Sequence, residues 1–201
     1  MSEKNQEANI GDPLTDEQIR AYTVGELKPL SDKISIVDYD PGWPDLFLRE
    51  ADRLQAALGP RALSIEHTGS TSVPGLAAKP IIDILLVVRD SADEAAYLPA
   101  LEAVGYVLRI REPDWYEHRM FKGPDTDINL HVLSADCEEI DRMLIFRNWL
   151  RNNPADRDLY ARAKLSLAGK DWKYVQNYAD AKTEVIQEIM ERACRDWGGS
   201  V

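Results

Sequence analysis

Residues 66–88, EHTGSTSVPGLAAKPIIDILLVV, contain two predicted β-strands with a Gly-Ser turn between them. The second strand lies in KPIIDILLVV, whose almost continuous apolar character is typical of a central strand. Its one carboxylate, Asp83, would be costly to bury unless it meets a cation, a hydrogen-bond donor or water. We interpret Asp83 either as an aspartate near a strand end that accepts backbone N–H groups or as a metal-binding carboxylate at the strand's exposed end.

The turn upstream of this strand contains Gly69 and Ser70. A small turn with free backbone N–H groups and a hydroxyl can approach phosphate oxygens closely. Alone, a Gly-Ser pair usually marks nothing more than a turn. Together with Asp83 on the next strand, it suggests phosphate on the turn and Mg²⁺ on the carboxylate, the combination that phosphoryl and nucleotidyl transfer need.

A second polar feature lies in DTDINLHV, residues 125–132. Its apolar residues alternate with Asp127, Asn129 and His131, so a strand here has one apolar and one polar face. The polar face is either solvated surface or the wall of a cleft beside Asp83. In a cleft, His131 and Asp127 are candidates for a second metal ligand or for a proton acceptor.

Cations fall within the apolar stripes of two predicted C-terminal helices. In EEIDRMLIFRNWLRNN (138–153), Arg147 and Arg151 lie in the middle of the stripe rather than opposite it. In the last helix Lys182 does the same, and Tyr160 and Lys164, four residues apart, lie on the helix before it. These cations either extend along apolar surface or form buried salt bridges, or they line an anion pocket that takes phosphate or carboxylate.

The composition limits the classes of partner. The 201 residues fit one domain, and 35 acidic against 24 basic residues give a formal charge of −11. This charge argues against non-specific binding to nucleic acid or to an anionic membrane, although a small anionic ligand needs only a few basic groups. Neither a signal peptide nor an apolar run of about 20 residues is visible. We predict a cytoplasmic protein.

The remaining pattern predicts an α/β sheet unit followed by a helical C-terminal part. Residues 1–12 are polar and predicted to be disordered. Strands are expected within 33–39, 61–67, 79–88, 106–110, 116–122 and 127–133, and helices within 14–27, 40–59, 91–105, 138–153, 154–169 and 178–197.

The segment HTGSTSVPGLAAKPIIDI (67–84) resembles the signature of the GrpB family, small proteins of the DNA polymerase β-type nucleotidyltransferase superfamily. The segments 129–168 and 178–186 are similar to the rest of that family's pattern, and the resemblance covers residues 34–192. It implies an α/β (α+β) fold, a mixed nucleotidyltransferase-like β-sheet flanked by helices. Residues 1–33 then form an N-terminal extension with a short helix, and 34–198 form the family domain.

The resemblance also implies roles for individual residues. Gly69 and Ser70 match the turn that binds nucleotide phosphates in the superfamily, and Asp83 matches its first metal carboxylate. The superfamily's second acid, two residues later, is Leu85 here, which puts the usual two-metal site in doubt. The other candidate binding positions are His67, Thr71, Lys79, Arg119, Asn129, His131, Arg147, Arg151, Tyr160, Lys164 and Lys182.

Three functions follow from these features. The first is an enzyme that binds a nucleoside triphosphate, with ATP expected, together with Mg²⁺ or Mn²⁺, and transfers a nucleotidyl or phosphoryl group to a small acceptor. A variant activates a carboxylate for amide formation. The second, favoured by Leu85, is a non-catalytic nucleotide- or metabolite-binding module. The third is an interaction protein whose inward cations are structural ion pairs.

Overall fold

A mixed five-stranded sheet with the strand order β1-β2-β5-β4-β3 organises the computed structural model, which describes residues 13–198. Strand β2 runs parallel to β5 and antiparallel to β1, and β4 is antiparallel to both β5 and β3. The predicted mixed sheet flanked by helices is confirmed. The elements are α1 (Asp16–Tyr22), α2 (Trp43–Leu58), β1 (Ser64–Thr68), β2 (Ile82–Val88), α3 (Leu98–Ala103), β3 (Val107–Glu112), β4 (His118–Lys122), β5 (Ile128–Ser134), α4 (Glu138–Asn152), α5 (Pro154–Ala168), α6 (Val175–Asp180) and α7 (Thr183–Gly198).

Alternation along β2 divides the core between the two faces of the sheet. Ile84 and its even-numbered neighbours on β2 pack with α2 and α3 in the larger hydrophobic cluster. Leu85 and Val87 point to the other face, where they pack with residues of α4 such as Met143. Asp83 also belongs to this second face, at the end of β2 that precedes the apolar pair.

The C-terminal helices cover the Gly-Ser turn. Leu150 of α4, Tyr160 of α5 and Ile189 of α7 form one buried cluster with Val73 and Leu76, which follow the turn in the chain. Burial of these side chains holds the helices against the turn. The predicted helical C-terminal part is therefore confirmed.

The predicted helix 178–197 is two helices. Helix α6 ends at Asp180 and α7 begins at Thr183, so Lys182 lies at the break between them. The backbone N–H of Lys182 bonds to Ala179 O, and its carbonyl accepts from the N–H of Ile186 as the new helix starts. The break brings Lys182 to the same side as the Gly-Ser turn.

Two further predictions of secondary structure were wrong. Segment 33–39 is not a strand, because only Val37 pairs, with Ala78, while Ile34 packs against Tyr178 and Ala168 instead of entering the sheet. In segment 91–105, residues Glu94–Ala96 form a 3₁₀ turn, and α3 is only 6 residues long. Pro99 lies in the first turn of α3 and favours the start of a new helix at this point.

In the described part of the N-terminal extension, the predicted short helix forms as α1, but it ends at Tyr22 and not near residue 27. Thr15 is the N-cap: its Oγ1 accepts from the N–H of Gln18 at 3.2 Å, and its own N–H donates to the Gln18 side chain at 2.8 Å. After α1, Thr23 forms a bridge with Ile110 of the edge strand β3. The disorder predicted for residues 1–12 lies outside the described residues. None of the described helices is long and apolar enough to cross a membrane.

Candidate functional site

Asp83 lies directly against the Gly-Ser turn. Its Oδ1 accepts a hydrogen bond from Asn129 Nδ2 at 2.8 Å, and its side chain is 27% exposed. Gly69 has φ of +64°, and a Cβ added to it would lie 2.8 Å from both Cβ and Cγ of Asp83. Only glycine allows this approach, because a side chain would both clash and disfavour the backbone conformation.

The charge of Asp83 is stabilised by its neighbours. Burial by itself raises the pKa of this carboxyl, but the adjacent His131 ring, the Asn129 amide and the Lys79 ammonium together lower the pKa below its usual range. His131 Nε2 is 3.7 Å from Asp83 Oδ1. The side chain is therefore a carboxylate at neutral pH, ready to meet a cation.

Internal hydrogen bonds fix the shape of the turn. Thr71 Oγ1 donates to Ile81 O at 3.1 Å and lies 3.1 Å from His67 Nε2. The His67 ring stacks on Phe47 with centroids 4.8 Å apart. Burial, and then the nearby arginines, lower the pKa of His67 to about 4, so the ring is neutral. Thr71 and His67 support the turn from behind rather than offering free groups to a ligand.

Three lysines surround the turn and Asp83. Lys164, only 2% exposed, donates to Ser70 Oγ at 3.0 Å and to Ala77 O at 2.6 Å. Lys79 and Lys182 lie over the ring of Tyr178, at 5.3 Å and 4.8 Å from its centroid. Within residues 13–198, none of the three lysines forms a salt bridge with a carboxylate.

Burial of the lysines disfavours their charged forms, which a bound anion would stabilise. Burial first, and then repulsion by Lys182, lower the pKa of Lys164 to about 7 and that of Lys79 to about 8. Burial likewise lowers the pKa of Lys182. A bound anion would reverse part of this shift, because an opposite charge stabilises the protonated form. The lysine cluster is thus a site where an anion binds most strongly when the lysines are charged.

The two arginines of α4 have different tasks. Arg147 donates from Nη1 to Glu66 Oε2 at 2.8 Å and to the carbonyl of His67 at 3.0 Å, and it also lines the cleft. Arg151 donates from Nε and Nη2 to Ser72 O at 3.0 Å and 2.7 Å. Arg147 points inward as predicted, whereas Arg151 is an exposed residue whose guanidinium supports the turn instead of facing a ligand.

A cleft of about 130 Å³ lies between the turn and the C-terminal helices. One wall is polar and the other, formed mainly by α4, is apolar. The volume is below the range of roughly 300–1,000 Å³ that is usual for drug-sized ligands, so in this conformation it suits a phosphate-sized group. The lining residues are Gly69, Ser70, Val73, Asp83, Met143, Phe146, Arg147, Leu150, Tyr160 and Lys182.

Comparison with known proteins identifies the family to which the chain belongs. The profile of the GrpB protein family matches residues 33–192. The chain belongs to the GrpB family. This confirms the relationship that the turn and the following strand suggested.

Relatives of this GrpB protein share most of its length. The UPF0157 protein BH1888 of Halalkalibacterium halodurans is 66% identical over 181 residues, which cover 90% of this chain and 93% of that protein. The crystal structure of conserved protein GrpB from Enterococcus faecalis has a TM-score of 0.72 at 33% identity, covering 81% of this chain and 99% of that one. In fold alone, Cid1 poly (U) polymerase gives a TM-score of 0.42 at 13% identity over 65% of this chain and 44% of that chain.

The donor set of this GrpB protein fits one Mg²⁺ ion but not two. Among residues 13–198, no group of three or more His, Cys, Asp or Glu side chains converges as a metal site. Mg²⁺, however, commonly uses one or two carboxylates and completes its shell with substrate phosphates and water, which Asp83 beside the cleft satisfies. Leu85, two residues after Asp83, is fully buried against α4.

Two predicted site residues lie away from the cleft. Asp127 precedes β5, is 55% exposed, and accepts from Lys122 Nζ at 2.7 Å. Arg119 pairs with Val132 on the face of the sheet opposite Asp83, because side chains alternate along β4. There its Nε donates to Glu94 Oε1 at 2.6 Å. The prediction that Arg119 belongs to the site is therefore wrong, because its side chain does not lie beside the turn.

The sequence interpretation missed two residues that reach the site through His131. His118 Nε2 lies 3.0 Å from His131 Nδ1, and His118 Nδ1 lies 2.6 Å from Glu112 Oε2. Burial lowers the pKa of His118, against the opposing effect of Glu112. Alternation in the predicted strand 116–122 marks His118 as a possible inward residue. The pairing of β4 with both β3 and β5, however, is not visible in the sequence.

Proposed function

We propose that this protein binds the phosphate groups of a nucleoside triphosphate, with ATP expected, together with Mg²⁺, and transfers a nucleotidyl or phosphoryl group to a small acceptor. The observation that supports the proposal is the convergence of the Gly69–Ser70 turn, the carboxylate of Asp83 and Lys182 on one cleft, with the buried Lys164 bonded to Ser70 and Lys79 over the ring of Tyr178. Transfer of a phosphorus group is mostly positioning and charge neutralisation, and these are the groups that supply both.

Charge balance favours a phosphate ligand. Asp83 stabilises the charged forms of Lys79, Lys164 and Lys182, and Asp127 adds to this effect at Lys79 and Asp180 at Lys182. The ammonium groups of Lys79 and Lys182, and that of Lys164 where it is protonated, outnumber the one carboxylate among the residues that line the cleft, in a chain whose total charge is −11. A multiply charged phosphate chain compensates such a pocket better than a carboxylate does, and it is small enough at its terminus for the cleft.

Each residue then has a defined role. Asp83 would hold Mg²⁺, which on binding neutralises charge on the phosphate oxygens. The Gly69 and Ser70 turn and Lys182 bind and orient the phosphates, since they line the cleft directly. Lys164 holds the Ser70 hydroxyl in place from the buried side. The acceptor is a small molecule carrying a hydroxyl, an amine or a carboxylate, and a carboxylate acceptor would lead to amide formation.

A non-catalytic nucleotide- or metabolite-binding module is the second candidate function. The specific observation in its favour is Leu85, because apolar packing against α4 occupies the place of the superfamily's second acid. A single metal ion still allows binding and orientation of phosphates. The two candidates differ in turnover and not in the location of the ligand.

The first experiment is thermal unfolding with ATP, GTP, CTP or UTP, with and without Mg²⁺. A nucleotide at 100 times its dissociation constant adds about 2.7 kcal/mol, which raises Tm by roughly 5–10 °C for a chain of this size. We expect a Mg²⁺-dependent increase for the wild type and for Asp52→Asn, a control on the exposed side of α2. In Asp83→Asn the Mg²⁺ dependence should disappear.

The same variant separates metal binding from general damage. Without Mg²⁺, Asp83→Asn should bind the nucleotide at least as well as the wild type, because it removes a negative charge from the cleft. Lys182→Met should weaken binding both with and without Mg²⁺. No Tm increase with any of the four nucleotides would contradict the proposal. Binding without turnover against a panel of small hydroxyl, amine and carboxylate acceptors would support the binding module instead.

A further inference from the structure

The ring of Tyr178 contacts two lysines that come from distant parts of the chain. Lys182 Nζ lies over this ring at 4.8 Å from its centroid, and Lys79 Nζ lies over it at 5.3 Å. Both distances are within the roughly 6 Å over which the face of an aromatic ring attracts a cation. Lys182 lines the cleft, and Lys79 lies just before β2, the strand that carries Asp83.

The two ammonium groups repel each other and are not neutralised by a bonded carboxylate. In the part of the chain that the structure describes, neither Lys79 nor Lys182 forms a salt bridge. Burial, and then repulsion by Lys182, lower the pKa of Lys79 to about 8. Lys173 differs, because it lies over the ring of Tyr174 at 5.2 Å but also pairs with Asp16. For Lys79 and Lys182, an aromatic face takes the place of the counter-ion and leaves their charge uncompensated.

The contribution of Tyr178 comes from its ring and not from its hydroxyl. The side chain is 1% exposed, and it packs with Ile34 and Ala168 and edge-on against Trp172, with ring centroids 6.3 Å apart. Its hydroxyl is buried and forms no hydrogen bond with any residue of the described chain. Because a buried hydroxyl without a partner costs free energy, phenylalanine would fill this position at least as well for packing alone.

We propose that Tyr178 is a positioning residue whose ring holds the ammonium groups of Lys79 and Lys182 beside the cleft without neutralising them, which leaves both charges for a ligand that carries more than one phosphate group. The class of ligand rests on the proposed function. Without the ring, mutual repulsion separates the two lysine side chains, and a phosphate chain that binds both has to bring them together again. Tyr178 itself does not line the cleft, so it acts through the lysines.

The contact between the ring and the lysines can be measured without any ligand. The ring current of an aromatic side chain shifts protons over its face to lower frequency in the ¹H spectrum. In a ¹H–¹³C correlation spectrum of lysine-labelled protein, the methylene groups next to Nζ of Lys79 and Lys182 should show this shift, and the signals missing from Lys79→Met and Lys182→Met identify them. The shift should persist in Tyr178→Phe and vanish in Tyr178→Leu. Unshifted signals in the wild type would overturn the proposal, whether or not the protein binds phosphates.

Calorimetry with inorganic diphosphate, in the absence of Mg²⁺, tests the effect of the ring on anion binding. Tyr178→Phe should bind diphosphate as tightly as the wild type, whereas Tyr178→Leu should bind it roughly 10-fold more weakly, as expected for the loss of a partly desolvated cation–π contact. Tyr174→Leu is the matched control, since Tyr174 is also buried under a lysine but lies outside the cleft lining, and it should leave the affinity unchanged. A loss in Tyr178→Phe equal to that in Tyr178→Leu would assign the effect to the hydroxyl and overturn the proposal. An equal loss in Tyr174→Leu would assign it to α6 as a whole and also overturn the proposal.

A second background separates positioning from packing. In Lys79→Met, where no second ammonium group repels Lys182, adding Tyr178→Leu should weaken diphosphate binding by less than about threefold, because contacting residues do not act additively. A full loss of roughly 10-fold in that background would show that Tyr178 acts through packing alone and would overturn the proposal. If the folded wild type binds neither diphosphate nor nucleotides, the proposed function is contradicted, while the lysine signals still decide whether Tyr178 positions the two lysines.

Discussion

Gly69→Ala tests the contact on which the site depends, the approach of the Gly-Ser turn to Asp83. Two costs add. The first is conformational: Gly69 has φ 64° and ψ −172°, a region nearly exclusive to glycine, which costs other residues about 1–3 kcal/mol. The second is steric, because the new Cβ would lie 2.8 Å from Cβ and Cγ of Asp83. Overpacking of this kind costs about 1–3 kcal/mol.

The sum is about 4 kcal/mol, and for a protein of this size each kcal/mol lowers Tm by roughly 2–4 °C, so Tm should fall by roughly 8–16 °C. Gly75→Ala is the matched control, because Gly75 also has positive φ, +78°, yet an added Cβ meets nothing within 4 Å. It should cost about 1–2 kcal/mol, the conformational part alone.

Urea unfolding followed by circular dichroism measures both variants. Adding Asp83→Ala to Gly69→Ala removes Cγ and Oδ2 but keeps the Asp83 Cβ, so the double variant should recover part of the lost free energy of unfolding. Such coupling between contacting residues is typically about 0.5–3 kcal/mol. If Gly69→Ala costs no more than Gly75→Ala, the turn does not pack on Asp83 and the geometry of the site is wrong.

Three further outcomes are expected. Sulfate does not titrate near neutrality, and calorimetry should show that it binds less tightly as the pH rises from about 6 to about 8, because Lys164, with a pKa of about 7, loses its charge. The variant Lys164→Met should reduce this pH dependence, and tighter sulfate binding at higher pH would contradict the prediction. Arg151→Met should lower the free energy of unfolding in urea by about 1–3 kcal/mol, because it leaves Ser72 O without its donors. Arg162→Met, at an exposed position, should change this free energy by less than about 0.5 kcal/mol, and equal effects of the two variants would show that Arg151 does not support the turn. Leu85→Asp should lower the free energy of unfolding by more than the roughly 2–5 kcal/mol expected for Leu85→Ala, because it buries an unpaired charge. A stable Leu85→Asp variant that binds a second metal ion would refute the apolar packing of Leu85 against α4.

Several parts of the site were readable from short stretches of sequence. Gly69 and Ser70 were located as a glycine followed by a hydroxyl residue at a turn, and Asp83 as the one carboxylate in an apolar strand. Each of these features is visible within a few residues of sequence. The inward placement of Arg147 followed from the helical period, and the structure bears it out, whereas Arg151, predicted on the same grounds, is exposed. The helical period did not reveal that Arg151 donates its hydrogen bonds to a backbone carbonyl.

Other elements depended on partners that the local pattern does not contain. Segment 33–39 alternates like a strand, yet its Ile34 packs against Tyr178 from the distant C-terminal part. Arg119 was a further candidate for the site, but the register of β4 turns it to the face of the sheet opposite Asp83. A register is set by pairing with other strands, and a shift of one residue reverses every side chain.

The sequence by itself therefore determined the class of fold, the family, the turn and its carboxylate, because helical and strand periods and the properties of glycine act over a few residues. Only the tertiary structure decided which side chains meet at the cleft. Asn129 reaches Asp83 across 46 residues, and Lys164 reaches Ser70 across 94. Contacts at such separations exist only after the strands of the sheet have paired and the C-terminal helices have packed on it, since no local interaction brings those residues together. The same holds for the contacts that lead from Glu112 through His118 to His131.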